Sequence, residues 1–205
     1  MQKCMRAFSN IGKPLFFLMI FVSITANMKI VLLGGNSIKN KEWLIDMETA
    51  IQHFSNDTIR HNYSHWENSN FSINLDTELD CLRVMLQDFN EYTILAKSAG
   101  ALLALKGIYE GKIYPSACVF LGTAVLWGKE NGYEIEKWLK DYSTPTLFVQ
   151  NSDDPAISPQ DLLTLLQKSS VINHKLIVSS GRGHEYLEYQ QIAENIALFL
   201  KRPQK

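Results

Sequence analysis

The chain has 205 residues, 46% of them hydrophobic, which is enough to bury one full core and too few for two ordinary domains. A formal net charge of −1 and the lack of any run of Lys or Arg remove the basic footprint that nucleic-acid binding needs. The cysteines Cys4, Cys81 and Cys118 have neither metal-ligand spacing nor the even count of a disulfide framework, so they read as buried or free thiols and no metal site is expected.

Residues 1–27 differ from the rest. Lys3, Arg6 and Lys13 precede an apolar run over 15–26, the pattern of a basic segment and short hydrophobic segment in a signal peptide. The charge-free span 14–28 falls short of the about 20 residues that a membrane-crossing helix needs. Met28 opens a Met-Lys-apolar run of the kind that begins many cytosolic strand-first domains. Translation is therefore expected to start there, giving a cytoplasmic domain over 28–205. Export, or anchoring to a membrane through residues 1–27, is the alternative.

From Lys29 onward apolar runs alternate with helical periodicity. Residues 29–33 read as a strand, and Trp43, Met47, Ile51 and Phe54 recur at helical spacing. A second strand is expected over 58–63, then a helix marked by Leu75, Leu79, Leu82 and Leu86. A strand over 92–95 runs into a helix over 98–109, stopped by Gly111. Residues 117–121 form the next strand, 134–139 a short helix, and Pro145 starts a buried strand. Ser158 is a good N-cap with Pro159 at the first helical position. A strand over 175–178 and a helix carrying Ile192, Ile196, Phe199 and Leu200 complete the chain. This alternation implies a parallel sheet covered by helices on both faces, with ligands binding beyond the carboxyl ends of the strands. The short stretch between Leu121 and Pro145 leaves no room for a lid, so an open site is expected.

Three residues fall just past predicted strands. Ala96-Lys97-Ser98-Ala99-Gly100 places a serine between small neighbours, which allows a sharp, strained strand-to-helix turn that pushes the hydroxyl outward. Asp153-Asp154-Pro155 puts carboxylates at the end of the Pro145 strand, and a glycine loop after the next strand ends in His184. Lys97-Ser98 does not complete a phosphate loop, because Glu91 and Ala96 stand where its glycines belong. A dinucleotide fingerprint from Gly34 fails at Asn36 and Lys39.

The order Ser, Asp, His, each beyond a strand, resembles the α/β-hydrolase superfamily. The resemblance spans residues 29–200, from a first strand ending in Gly34-Gly35-Asn36 to Gly183-His184. It implies an α/β fold with six strands ordered 2-1-3-4-5-6. It further implies Ser98 as nucleophile, His184 as general base, and Asp154, or its neighbour Asp153, as the acid that orients the histidine. The other histidines, His53, His61, His65 and His174, lie on helices or strands or beside them, where surface or core roles fit them better.

An oxyanion hole would use the backbone N–H of Ala99 and one from the loop after the first strand, Asn36 first, with Gly35 or Ser37 as alternatives. Two departures from the family pattern stand out: Gly34-Gly35 where many relatives carry His-Gly, and Ala96 in place of the first elbow glycine. His65, Trp66 and Trp127 are candidates for the substrate pocket, and Lys97 for a cation behind the nucleophile or at its rim. The expected activity is hydrolysis of an ester, thioester or related acyl bond in a small molecule, with no cofactor and no metal. Two other readings remain: a non-catalytic binding or scaffold protein on the same fold, and a membrane-tethered accessory domain.

Overall fold

The computed structural model describes residues 29–67 and 72–201; residues 1–27, and with them the choice between signal, anchor and later start, lie outside those residues. Six strands, β1 (Lys29–Leu33), β2 (Thr58–His61), β3 (Tyr92–Lys97), β4 (Ala117–Leu121), β5 (Thr146–Asn151) and β6 (His174–Ser179), form one sheet in the order 2-1-3-4-5-6. Every pairing is parallel. The three strands β3, β4 and β5 are buried along their whole length, as continuous apolar runs covered on both faces must be. The outer strands β2 and β6 are partly exposed. Each fully buried leucine or isoleucine of the sheet, such as Ile94 and Leu95, contributes about 1.5–3 kcal/mol.

Among the described residues seven helices flank the sheet: α1 (Asn40–Ile51), α2 (Leu75–Leu86), α3 (Ala99–Tyr109), α4 (Val125–Glu130), α5 (Ile135–Leu139), α6 (Pro159–Lys168) and α7 (Tyr189–Leu200). One face carries α1 packed on α7, and the other carries α3 with α2 and α5 against it. The Ser158 hydroxyl caps α6 by accepting from the Asp161 N–H at 3.0 Å, with Pro159 at the first position as its sequence predicts.

The structure differs from expectation in two places. The second strand stops at His61, and Ser64–Glu67 forms a 3₁₀ turn that buries Trp66. The helix α4 was not expected: six residues are too few to display a helical period, and Ala124 gives no side-chain cap. Among the described residues no helix is long and apolar enough to cross a membrane. Because all strands run the same way, the segments after Leu33, Lys97, Leu121, Asn151 and Ser179 gather at one edge of the sheet.

Candidate active site

Ser98 sits between β3 and α3 with φ 56° and ψ −121°, a conformation that costs a non-glycine residue about 1–3 kcal/mol. Its N–H donates to the Leu121 carbonyl at 2.9 Å, which ties the turn to β4. Gly100 explains the small-residue pattern. A Cβ there would lie 2.5 Å from the Gly34 carbonyl oxygen and 2.9 Å from the Leu33 Cβ, so α3 reaches the sheet this closely only because the side chain is missing. Ala96 is fully buried, leaving space for a methyl group in place of the first elbow glycine.

The Ser98 hydroxyl lies 2.7 Å from His184 Nε2, and His184 Nδ1 lies 2.9 Å from Asp154 Oδ1 and 3.0 Å from Oδ2. With a carboxylate against Nδ1, the neutral ring carries its proton there, and Nε2 accepts from the serine O–H. Asp154 is only 4% exposed. Burial pushes its carboxyl up, but hydrogen bonds from His184, the Tyr186 hydroxyl and the Ala156 N–H outweigh burial and hold it below the usual carboxylate range. Asp153 does something else: exposed, it accepts from the Gly183 N–H at 2.7 Å and holds the backbone of the histidine loop. Asn151 Nδ2 donates to the Gly183 carbonyl at 3.0 Å, so that loop is gripped from two points of the β5 end.

Tyr186 was missed by sequence reasoning. Its hydroxyl donates to Asp154 Oδ2 at 2.7 Å and accepts from the Asn151 N–H at 3.0 Å, while its carbonyl accepts from Trp43 Nε1. Burial, together with the neighbouring Asp154 carboxylate, pushes its phenol far up, so it stays a donor. Gly122, with φ 54°, makes room for it: a Cβ would lie 2.4 Å from a Tyr186 ring carbon and 2.9 Å from Asp154 Oδ2. A tyrosine two residues past a histidine carries no signal of this role in the sequence.

A cavity of about 470 Å³ opens over Ser98. Ala124, Leu126, Trp127 and Ala156 supply an apolar side, and Asn36 and Ser37 a polar one. Trp127 lines the cavity. His65 and Trp66 do not; they sit behind the loop 34–37, where His65 Nε2 at 2.7 Å and Trp66 Nε1 at 3.1 Å engage the Asn36 carbonyl. The 3₁₀ turn rotates both rings away from the cleft mouth, and the Tyr63 hydroxyl grips the Gly34 carbonyl from the same side at 2.9 Å. The Asn36 side chain accepts from the Ile73 N–H at 2.7 Å. Ala99 occupies the first position of α3, where a helix has no internal acceptor for its N–H, and it lines the cavity with Asn36 and Ser37. Gly35 does not line it: a Cβ there would lie 3.0 Å from the Ser98 Cβ.

Neither a family model nor a curated protein matches the chain. Solved structures do. The protein Est1E of Butyrivibrio proteoclasticus, determined with ferulic acid bound, superposes with a TM-score of 0.67 at 13% identity over 87% of this chain and 90% of that one. An esterase of Pyrococcus furiosus gives 0.68 at 13% over 88% and 84%. The naproxen esterase of Bacillus subtilis gives 0.66 at 13% over 85% and 84%. Identities this low speak to architecture alone: the chain has the α/β-hydrolase fold, as the resemblance of its motifs implied.

Proposed function

We propose that the protein is a serine hydrolase that cleaves an ester, thioester or related acyl bond of a small molecule through an acyl-enzyme. Ser98 Oγ attacks the carbonyl carbon as its proton passes to His184 Nε2, and Asp154 stabilises the imidazolium through Nδ1. The negative oxygen of the tetrahedral intermediate is held by the Ala99 N–H and by an amide of the loop 34–37, that of Asn36 or Ser37. Collapse of the intermediate breaks the bond to the leaving group, which takes the proton from His184 Nε2. Water then attacks the acyl-Ser98 ester with His184 again as base, releasing the acid and restoring the serine. The residues named supply every group this sequence of steps uses, so no cofactor or metal enters it.

The observation that carries this reading is the unbroken relay from Ser98 Oγ through His184 to buried Asp154, with the serine at positive φ. The esterases among the structural neighbours support the ester branch. Labelling of the purified full chain with a fluorophosphonate, read by intact mass, tests it. One label per chain is expected, absent from Ser98→Ala and His184→Ala. A folded wild-type protein that takes no label refutes the reading and leaves a binding module on this fold.

A further inference from the structure

Two side chains beside Ser98 hold polar atoms that the other described residues do not satisfy. Lys97, the last residue of β3, is 6% exposed, and its ammonium makes no hydrogen bond or ion pair among the described residues. Its ammonium lies 5.4 Å from the centre of the Trp43 ring. Burial holds it below the usual lysine range, with Glu185 and Asp154 pulling the other way from longer distance. Asn40, at the start of α1, is 7% exposed; its Nδ2 donates to the Ser37 carbonyl at 2.8 Å, and its buried Oδ1 has no partner among the described residues. A buried ammonium with no carboxylate in ion-pair contact is costly to maintain, whereas a solvated lysine would lie along the surface with its head in water.

Both side chains line the cavity over Ser98 and also a second one of about 540 Å³ between α1 and the segment 184–189. Trp43, Leu187 and Tyr189 wall this second cavity, and His184 stands between the two. In acyl transfer the histidine that takes the serine proton returns it to the departing atom, so the leaving group departs against His184. The cavity with His184 but not Ser98 in its wall lies on that side. The apolar cavity around Leu126 and Trp127 is left for the acyl chain.

Resting on the serine-hydrolase reading above, we propose that this second cavity is the leaving-group subsite and that it takes alcohols or thiols bearing a carboxylate, seated on the Lys97 ammonium. Glu42, Asp46 and Glu185 line the same cavity; all three are exposed, so water and salt weaken their repulsion of an anion without abolishing it, whereas Lys97 is 6% exposed. Their charge favours a carboxylate that reaches the bottom of the cavity over one held at its mouth.

The test compares hydrolysis of 3-acetoxybenzoate with that of the neutral 3-acetoxybenzamide by the full chain. A charge-assisted contact predicts a kcat/KM ratio of about 10–100 in favour of the carboxylate. The ratio falls to about 1 in Lys97→Met, whatever happens to the absolute rates, and rises in Glu185→Gln, which removes the competing acid. A wild-type ratio at or below 1, or one that Lys97→Met leaves in place, overturns the proposal. Should Lys97→Met not fold, the exposed Glu185→Gln decides, and a ratio that does not rise overturns it. Calorimetric binding of 3-hydroxybenzoate against 3-hydroxybenzamide to Ser98→Ala separates the two readings, because it needs no turnover. Tighter binding of the carboxylate without hydrolysis by the wild type refutes the hydrolase and keeps the subsite. Equal binding alongside hydrolysis refutes the subsite and keeps the hydrolase.

Discussion

At the scale of single residues, two adjacent aspartates have opposite surroundings. Asp154 is buried against the His184 ring, and Asp153 faces water and holds the loop backbone. Under the proposed mechanism an asparagine at 154 presents its ring-facing side with a donor or a weaker acceptor and no longer stabilises an imidazolium. Asp154→Asn is expected to lower kcat by about 10³–10⁴, the scale seen when the acid of a comparable triad is neutralised. Asp153→Asn removes one charge-assisted bond to Gly183 and should cost less than about tenfold. Steady-state rates on one activated ester compare them, and the reverse ranking would transfer the role to Asp153. Both aspartates are equally placed in the sequence. The direction each faces is set by the turn Ser152 to Pro155 and by a histidine 30 residues away.

Close approach between elements governs the next scale. The helix α3 starts beside the end of β1 because Gly100 lacks a side chain, with the Gly34 carbonyl where a Cβ would be. Gly100→Ala must push α3 away from that loop, and the neighbour is backbone, which cannot yield as a flexible side chain does. The expected loss is about 1–3 kcal/mol of stability, measured by urea unfolding. An unchanged midpoint would show that the helix tolerates a shift. The same reasoning covers what element prediction missed: α4 has one and a half turns and no cap, so it forms by packing Val125 and Gly128 against its neighbours rather than by its own propensity. That packing puts Leu126 and Trp127 in the wall of the cavity.

Across the whole molecule, two buried carboxylates link segments distant in the chain. Glu78 on α2 accepts from Ser64 and pairs with His61; burial pushes its carboxyl up, but these hydrogen bonds outweigh burial and hold it below the usual range. Asp154 behaves likewise through His184, Tyr186 and Ala156. For both, the folded state binds the proton less readily than the unfolded chain does. Their contribution is therefore complete above the ordinary carboxylate range of about 4 and is lost as pH falls through the lower folded values. Urea midpoints are expected to hold from neutrality to about pH 5 and to drop below it. Tyr186→Phe removes a donor to the charged form of Asp154 and leaves the Asn151 N–H without its partner. It should cost about 1–2 kcal/mol near neutrality and, by letting the folded carboxyl rise toward its unfolded value, make the loss of stability on acidification smaller than in the wild type. An acid loss as large as the wild type's would mean that Tyr186 does not hold the charge on Asp154.

The alternation of strands and helices, their approximate limits, the small residues around Ser98 and the order Ser, Asp, His were legible in the sequence, because strand and helix periods and glycine chemistry act over a few neighbouring residues. Only the tertiary structure decided which aspartate meets the histidine, that Tyr186 completes the group, that His65 and Trp66 brace the loop 34–37 from behind, and that Lys97 and Asn40 are buried between two cavities. These depend on where a side chain points once the backbone turns, and on partners distant in the chain, such as Ser98 and His184, 86 residues apart. Local propensity carries no information about such distant packing.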